Sequence, residues 1–484
     1  MMAVSLYTSR VTLSALGVTD YGIYNVVGGI VSMFTILSAS MSAAIGRFIT
    51  YEIGLKNKEH IKKVFSTSVN VQILLLIIIT ILLESIGLWF LNYKMVIPES
   101  RLVAASWVFQ FSILTFAVNL LSVPYNAAII AHEKMSAFAY IGILESILKL
   151  IMAYMIMLSP FDRLVYYGFL IMLLSVLIRF MYGYYCKGHF EECSYKFILD
   201  KKLLKEMFYF AGWNFLGQSS YIINTQGINI LMNIFFGVTV NAARGIAIQV
   251  DNALRQFVNN FMTAVNPQIT KSYAVGDLNN MKNLIYLSSK FSAFIMLIFA
   301  IPIILEVHII ISIWLGQCPE YVDIFLQLTI VNTFFDLIFC NAIITAVLST
   351  GRIKKYQIIM TACSIIVFPL TWIAFKIGFP PQASYIIFLL DFILQIFIRL
   401  YLAKNIIGLS PMEYIRKVFF RFYPVAIISS VVPYYIHCIM EESIYRLFIV
   451  TIVSILCTII TIYAIGLSEA ERKFIVNKIK RKNT

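Results

Sequence analysis

Of 484 residues, 60% are hydrophobic and 13% charged, with a mean hydropathy of +0.85. A soluble domain carries about 25% charged residues, so most of this chain has lipid as its solvent. The formal charge of +14 does not mark a nucleic-acid binder, because the basic residues cluster in short connectors between apolar stretches, where the positive-inside rule places them.

A spanning helix needs about 20 mainly apolar residues. In chain order that predicts fourteen segments, roughly 1–16, 21–50, 65–91, 102–130, 136–158, 163–186, 206–236, 240–270, 286–314, 321–349, 356–376, 383–403, 414–437 and 444–467. The predicted fold class is an all-α polytopic membrane protein. Its parts are a six-helix bundle over 1–186, a cytoplasmic connector over 187–205, a second six-helix bundle over 206–407, two additional helices over 408–467 and a basic cytoplasmic tail over 468–484. The connector has too few apolar residues for a core of its own. Sorted by side, 26 basic residues fall in connectors and tail on one side, and 5 (Lys94, Arg101, Arg163, Lys376 and Arg446) on the other. Both termini are therefore expected in the cytoplasm.

The chain also repeats itself. Leu16-Gly17-Val18-Thr19 recurs as Phe236-Gly237-Val238-Thr239, Tyr51-Glu52-Ile53-Gly54 as Tyr273-Ala274-Val275-Gly276, and Asn126-Ala127-Ala128-Ile129 as Asn341-Ala342-Ile343-Ile344. Six spans separate the copies, and an even number keeps orientation, so the two halves are expected to be parallel repeats, a plan used by transporters. Pairing Gly17 with Gly237 sets Met1 against Tyr221, which makes the first helix short for a span. The start is expected to be truncated or mis-assigned.

Polar residues inside spans are costly and point to function. In the predicted span 240–270, Asn241, Arg244, Asp251, Arg255, Asn259 and Asn266 share one helical face. Asp251 and Arg255 stand i,i+4 and can neutralise each other, leaving Arg244 as surplus positive charge. The span before it carries Asn214, Gln218, Tyr221, Thr225 and Asn229; the second span carries Asn25, Ser32, Ser40 and Arg47; and the first carries Ser5, Ser9 and Arg10. Arginine suits phosphate because its planar fork binds oxygens bidentately and stays charged when desolvated. The predicted substrate-binding set is Arg10, Arg47, Arg244 and Arg255 with the amides Asn25, Asn214, Gln218 and Asn259.

Blander roles fit other residues. Arg179 and Arg399 read as snorkelling side chains, and Arg47 reads as well that way. Glu145 and Lys149 read as an i,i+4 pair, and Glu84 and Glu306 as solvated carboxylates at outer helix ends. Asp251, Asp336 and Asp391 are the ion-coupling candidates, the latter two having no evident local partner. The seven cysteines stand singly, so neither metal nor disulfide is expected. No GxSxG, Walker A or HExxH motif occurs. No enzyme and no cofactor is expected, and energy input falls to a proton or sodium gradient or to the substrate gradient itself.

The run Thr8-Ser9-Arg10, Leu16-Gly17, Asp20-Tyr21-Gly22-Ile23-Tyr24-Asn25 and Arg47-Phe48-Ile49-Thr50 resembles the opening of bacterial polysaccharide and O-antigen flippases. These belong to the multidrug/oligosaccharidyl-lipid/polysaccharide (MOP) exporter superfamily. The resemblance implies a V-shaped bundle with a central cavity walled by the first, second, seventh and eighth spans. It implies transfer of undecaprenyl-diphosphate-linked oligosaccharide from the cytoplasmic to the periplasmic leaflet of the bacterial inner membrane by alternating access. Membrane lipid, the lipid-linked glycan and polysaccharide polymerase machinery are the implied partners, with no nucleic acid. Carried over by position, Arg10, Arg47, Arg244 and Arg255 would receive the diphosphate. The rival readings are a multidrug/cation antiporter of the same superfamily, which would favour a carboxylate-lined pocket, and a membrane polysaccharide polymerase, which would need a large outer loop.

Overall fold

A computed structural model describes residues 2–32, 34–89, 98–198, 200–315, 320–339 and 341–473. Among them the chain is all helical. Among the described residues ten helical segments are long and apolar enough to cross a bilayer, from Lys58–Gly87 to Ile444–Gly466, and the protein is a multi-pass membrane protein. The four other predicted spans fall in helices richer in amides, hydroxyls and charge.

The chain forms two compact units. The first, Met1–Gln218, contains α1 (Met2–Ser32), α2 (Thr35–Leu55), α3 (Lys58–Leu82), α4 (Leu102–Ala131), α5 (Met135–Met157), α6 (Arg163–His189) and the opening of α7 (Lys201–Ala274). The second, Ser219–Thr484, contains the rest of α7, then α8 (Leu278–Leu305), α9 (Val307–Leu315), α10 (Val322–Phe339), α11 (Asn341–Ser349), α12 (Lys354–Ile365), α13 (Val367–Ile377), α14 (Ala383–Ile407), α15 (Pro411–Tyr414), α16 (Phe420–Ile439) and α17 (Ile444–Thr461).

Gly17 breaks α1 with φ 78° and ψ 167°, and Gly237 breaks α7 with φ 82° and ψ −176°. This corner of backbone space is open in practice only to glycine. The same 220-residue spacing recurs further on. Lys56 ends α2 in the left-handed region, and Asn57 then caps α3 by accepting from the His60 amide. Gly276 takes the left-handed turn after α7, and Asp277 caps α8 by accepting from the Asn280 amide. Geometrically, therefore, Lys56 corresponds to Gly276, whereas the sequence match had aligned Gly54 with it. A left-handed lysine is unusual, and its presence hid the register.

In the first unit the core gathers Val27, Val108, Phe109 and Leu164, with Gly168 of α6 packed closely against Val108 and Phe111 of α4. The 187–205 stretch is not a loose connector. Phe190 and Cys193 are buried, and the backbone runs along α3. There the Lys196 amide donates to Ser66 (3.3 Å) and Asn70 donates to the Ile198 carbonyl (2.8 Å). Cys186 and Cys193 are both buried free thiols here, and the Cys186 thiol donates to the Tyr125 carbonyl (3.6 Å).

In the second unit a large core runs through Met232, Ala247, Met262, Phe294, Phe325, Ala346, Tyr414 and Val425. Three charges expected at the membrane surface are buried in it. Glu306 accepts from Arg446 at 2.9 and 3.1 Å and pairs with His437 at 2.9 Å, with no side-chain exposure. Lys290 of α8, one of the 26 basic residues sorted to the cytoplasmic connectors and tail, lies inside a span and donates to both Glu471 oxygens at 2.7 Å. Arg399 is 5% exposed and donates to Gln395, so it does not snorkel. Glu306 and Lys290 are tolerated because an oppositely charged partner reaches each from a distant element, whereas Arg399 bonds an amide on its own helix. Glu145 and Lys149 form the expected i,i+4 pair at 2.6 Å.

Candidate functional site

The second half of α7 carries the polar face read from the sequence, and α10 and α14 complete a pocket around it. The cavity measures about 360 Å³ and is lined by Tyr221, Thr225, Gln226, Asn229, Arg244, Asp251, Asn252 and Arg255 of α7, by Thr329, Asn332 and Thr333 of α10, and by Tyr385, Phe388 and Phe392 of α14. Every lining residue belongs to the second unit.

Arg255 is fully engaged. Its Nε donates to Asp251 Oδ2 (2.7 Å), one Nη to Asp336 Oδ2 (2.5 Å) and the other to Thr333 Oγ1 (2.8 Å). The Thr333 hydroxyl in turn donates to Asp251 Oδ1 (2.5 Å). The i,i+4 neutralisation expected of Asp251 and Arg255 is present. Asp336, however, does have a partner, and it stands 81 positions away in the chain. In a desolvated wall such a cluster is sustained by its short, charge-assisted hydrogen bonds.

Arg244 is different. It is 3% exposed, its Nε donates to the neutral Asn229 carbonyl oxygen (2.7 Å), and its guanidinium stands 5.5 Å from the Tyr385 ring centroid. Asn332 steadies that tyrosine's backbone by donating to its carbonyl (3.1 Å). Among the described residues no carboxylate comes within ion-pair distance of Arg244.

The other predicted site residues lie elsewhere. Asp391 accepts from Gln395 (2.6 Å) on α14 and does not line the pocket. Asn259 is exposed, one turn beyond Arg255. Asn214 is buried and Gln218 exposed in the part of α7 that belongs to the first unit. Arg47, in that unit, lies over the rings of Phe48, Tyr51 and Phe210 at 4.6, 5.1 and 5.6 Å, a cation–π setting. Arg10 and Asn25 are in α1, but their side chains lie outside the described residues. The contributions of α10 and α14 were missed. Their signal was present: Thr329, Asn332, Thr333 and Asp336 stand at i, i+3, i+4 and i+7, as do Tyr385, Phe388 and Phe392 at i, i+3 and i+7.

Solved structures of similar fold include transporters. The chain aligns with a MOP superfamily transporter from Pyrococcus furiosus at TM-score 0.69 and 15% identity, covering 84% of this chain and 93% of that one. It aligns with a MATE structure in the straight conformation at TM-score 0.71 and 15% identity, with the same two coverages. With the Vibrio cholerae MATE transporter VcmN in the bent form the TM-score is 0.70 and the identity 11%, covering 86% of this chain and 95% of that one. The fold is that of MOP-superfamily transporters. No family model and no curated protein matches the sequence.

Proposed function

We propose that this protein is a flippase that moves lipid-linked oligosaccharide across the bacterial inner membrane, from the cytoplasmic to the periplasmic leaflet, for surface polysaccharide synthesis. The fold supports transport in general. One observation carries the finer reading: Asp251, the carboxylate in the lining, is held by Arg255, while the Arg244 guanidinium bonds only neutral groups among the described residues. Amides, hydroxyls and aromatic faces make up most of the rest of the lining. A guanidinium beside amides suits an anionic, hydroxyl-rich ligand, and the undecaprenyl-diphosphate-linked glycan is such a ligand. On this reading both termini are cytoplasmic, a proton or sodium gradient supplies any energy, and polysaccharide polymerase machinery takes the product.

Pocket polarity is a sound place to look for a functional difference. The Pyrococcus furiosus neighbour is itself described as having a binding pocket of reversed polarity that suggests a different function. A second reading, multidrug export, draws support from neighbours that include a multidrug resistance MATE family transporter. Under it, Asp251 and Asp336 would have to leave Arg255 to meet a cationic drug.

The test is the leaflet orientation of lipid-linked oligosaccharide in a deletion strain. Accumulation of precursor with its sugar facing the cytoplasm, reversed by a restored copy, is the expected result. Unchanged orientation with increased drug sensitivity would transfer the assignment to drug export.

A further inference from the structure

We infer that Asp391 is the ion-coupling site of the second unit, and that the ion it takes is the proton rather than sodium. The inference rests on the transport that the fold supports, not on the oligosaccharide as substrate. Of the three aspartates expected to couple ions, Asp251 and Asp336 are bonded to Arg255. Asp391 lies half-buried inside α14, a segment long and apolar enough to cross the bilayer. Among the described residues no cation stands within ion-pair distance of it, and its hydrogen-bond partner is Gln395, whose Nε2 donates to Oδ2 (2.6 Å). An ionised carboxylate in a span is costly without a paired cation, and taking up a proton relieves that cost.

Gln395 is buried between a group that only accepts and one that only donates. Its Nε2 gives to Asp391 and to Ser364 Oγ of α12 (3.1 Å), while its Oε1 accepts from Arg399 (3.2 Å). With Asp391 ionised, the amide has one workable orientation. A protonated Asp391 can donate, so the amide can turn, and turning releases both Ser364 and Arg399. The proton is thereby registered in the seam between α14 and α12. The same α14 carries Tyr385, Phe388 and Phe392 into the pocket lining, which ties that seam to the cavity.

A hard cation such as sodium is held by several oxygens. Here the locked amide turns its N–H toward the carboxylate, and the Arg399 guanidinium lies behind it. α14 runs unbroken, so its carbonyls serve the helix. The Ser364 carbonyl, near the end of α12, already accepts from Asn224 of α7 (2.6 Å). Arg399 and the Cys363 thiol of α12 are the ionisable groups whose charge reaches Asp391. The remaining ionisable groups of α12, Lys354, Lys355 and Tyr356, are in its first turn, at the end away from Cys363. On the other elements packed against α14, Asp323 and Asp336 of α10 bond His308 and Arg255, Lys376 of α13 lies over the Trp372 ring, and Glu413 of α15 pairs with Lys417.

The experiment uses the full chain, in lipid nanodiscs and in cells. In nanodiscs the infrared absorption of protonated carboxyl groups is followed as pH falls from about 8 to about 4. Asp391→Asn should remove one component of the rise, and sodium chloride and choline chloride at equal strength should give superimposable titrations of the unaltered protein. An unchanged rise in Asp391→Asn overturns the inference, and a midpoint that moves with sodium overturns the choice of proton. In the deletion strain carrying the unaltered protein, collapsing the pH gradient with nigericin should slow outward exposure of the lipid-linked sugar by about fivefold or more. Asp391→Asn should be slow with or without nigericin. Gln395→Met, which keeps the carboxyl and removes the relay, should keep the infrared component and lose the nigericin response. No effect of nigericin on the unaltered protein overturns the coupling role, and a full response in Gln395→Met overturns the relay. The sodium comparison and the nigericin response are measured on the unaltered protein, so they stand even where a variant folds poorly. If the unaltered protein leaves leaflet orientation unchanged, the flippase reading fails and the infrared comparison alone decides the inference.

Discussion

Each unit contains an arginine held between two aspartates, and the two clusters differ in their surroundings. In the first unit Arg101, just before α4, bonds Asp20 of α1 and Asp162 at the start of α6. It joins the starts of α4 and α6 to α1 just past its break at Gly17, and Asp162 doubles as the N-cap, accepting from the Leu164 and Val165 amides at 3.1 and 3.2 Å. In the second unit Arg255 bonds Asp251 on its own helix and Asp336 on α10, in the wall of a cavity. The first cluster clamps elements near their ends, where water can reach it. The second sits along a helix face beside an arginine with no carboxylate partner. The same three side chains fasten elements near water in one place and brace the helices beside a cavity in the other.

The sharpest way to break this comparison is to remove each arginine. Arg255→Gln leaves two carboxylates facing each other in a desolvated wall, and an unpaired buried charge costs about 3–5 kcal/mol. The melting temperature of the purified protein should fall steeply, and Asp336→Asn in the same chain should recover part of the loss. Arg101→Gln should cost roughly half as much, because Asp162 is 38% exposed and water screens what remains. Equal losses for the two variants would remove the distinction.

Backbone strain gives the next effect. No atom lies within 4 Å of a Cβ built at Gly17 or Gly237, so Ala at either position meets no clash and pays only for its conformation, about 1–3 kcal/mol. Gly17→Ala and Gly237→Ala should therefore lower thermal stability by similar amounts. A harmless Gly237→Ala would mean that this break in α7 relaxes freely.

These cases also show what could be read in advance. The glycine pair, ten of the fourteen spans and the α7 polar face were legible because each is a local pattern: a motif, a run of apolar residues, a period of 3.6. The partners of those faces were not. Asp336 meets Arg255 across 81 positions and Arg446 meets Glu306 across 140. Spacing says which residues share a helical face but not which faces meet. For that reason Glu306 and Lys290 were assigned to water, although each has a partner far along the chain. Docking of residues 190–198 on α3 escaped notice for a related reason, since it relies on backbone hydrogen bonds to Ser66 and Asn70, which composition does not reveal.

Acid should act on the first cluster before it acts on covalent structure. Burial pushes the Asp162 carboxyl up, but hydrogen bonds from Arg101 and from the Val165 and Leu164 amides outweigh it and bring it below the ordinary aspartate value. A carboxyl lowered by folding contributes stability that is complete above its unfolded pKa, about 4, and is lost as pH falls through the lower folded value. Melting temperature should thus decline more steeply below about pH 4 in the unaltered protein than in Asp162→Asn. The variant itself should lose about 1 kcal/mol at neutral pH through its weaker cap and ion pair. Parallel pH profiles would show that Asp162 is not fastened as described.

The smallest effect is expected at Lys58 and Glu191, which pair at 3.4 Å with 84% and 79% of their side chains exposed. An ion pair in open water gains little Coulomb energy and gives up side-chain freedom, so its worth is about 0–1 kcal/mol. Lys58→Ala should leave the melting temperature within about 2 °C, since 1 kcal/mol moves a large domain by only a few degrees. The backbone bonds from Lys196 to Ser66 and from Asn70 to Ile198, together with buried Phe190 and Cys193, would still hold the connector on α3. A large loss in Lys58→Ala would instead place the docking energy in the surface charges. Asn70→Ala, which removes a hydrogen bond to the Ile198 carbonyl, should then be the milder variant rather than the harsher one.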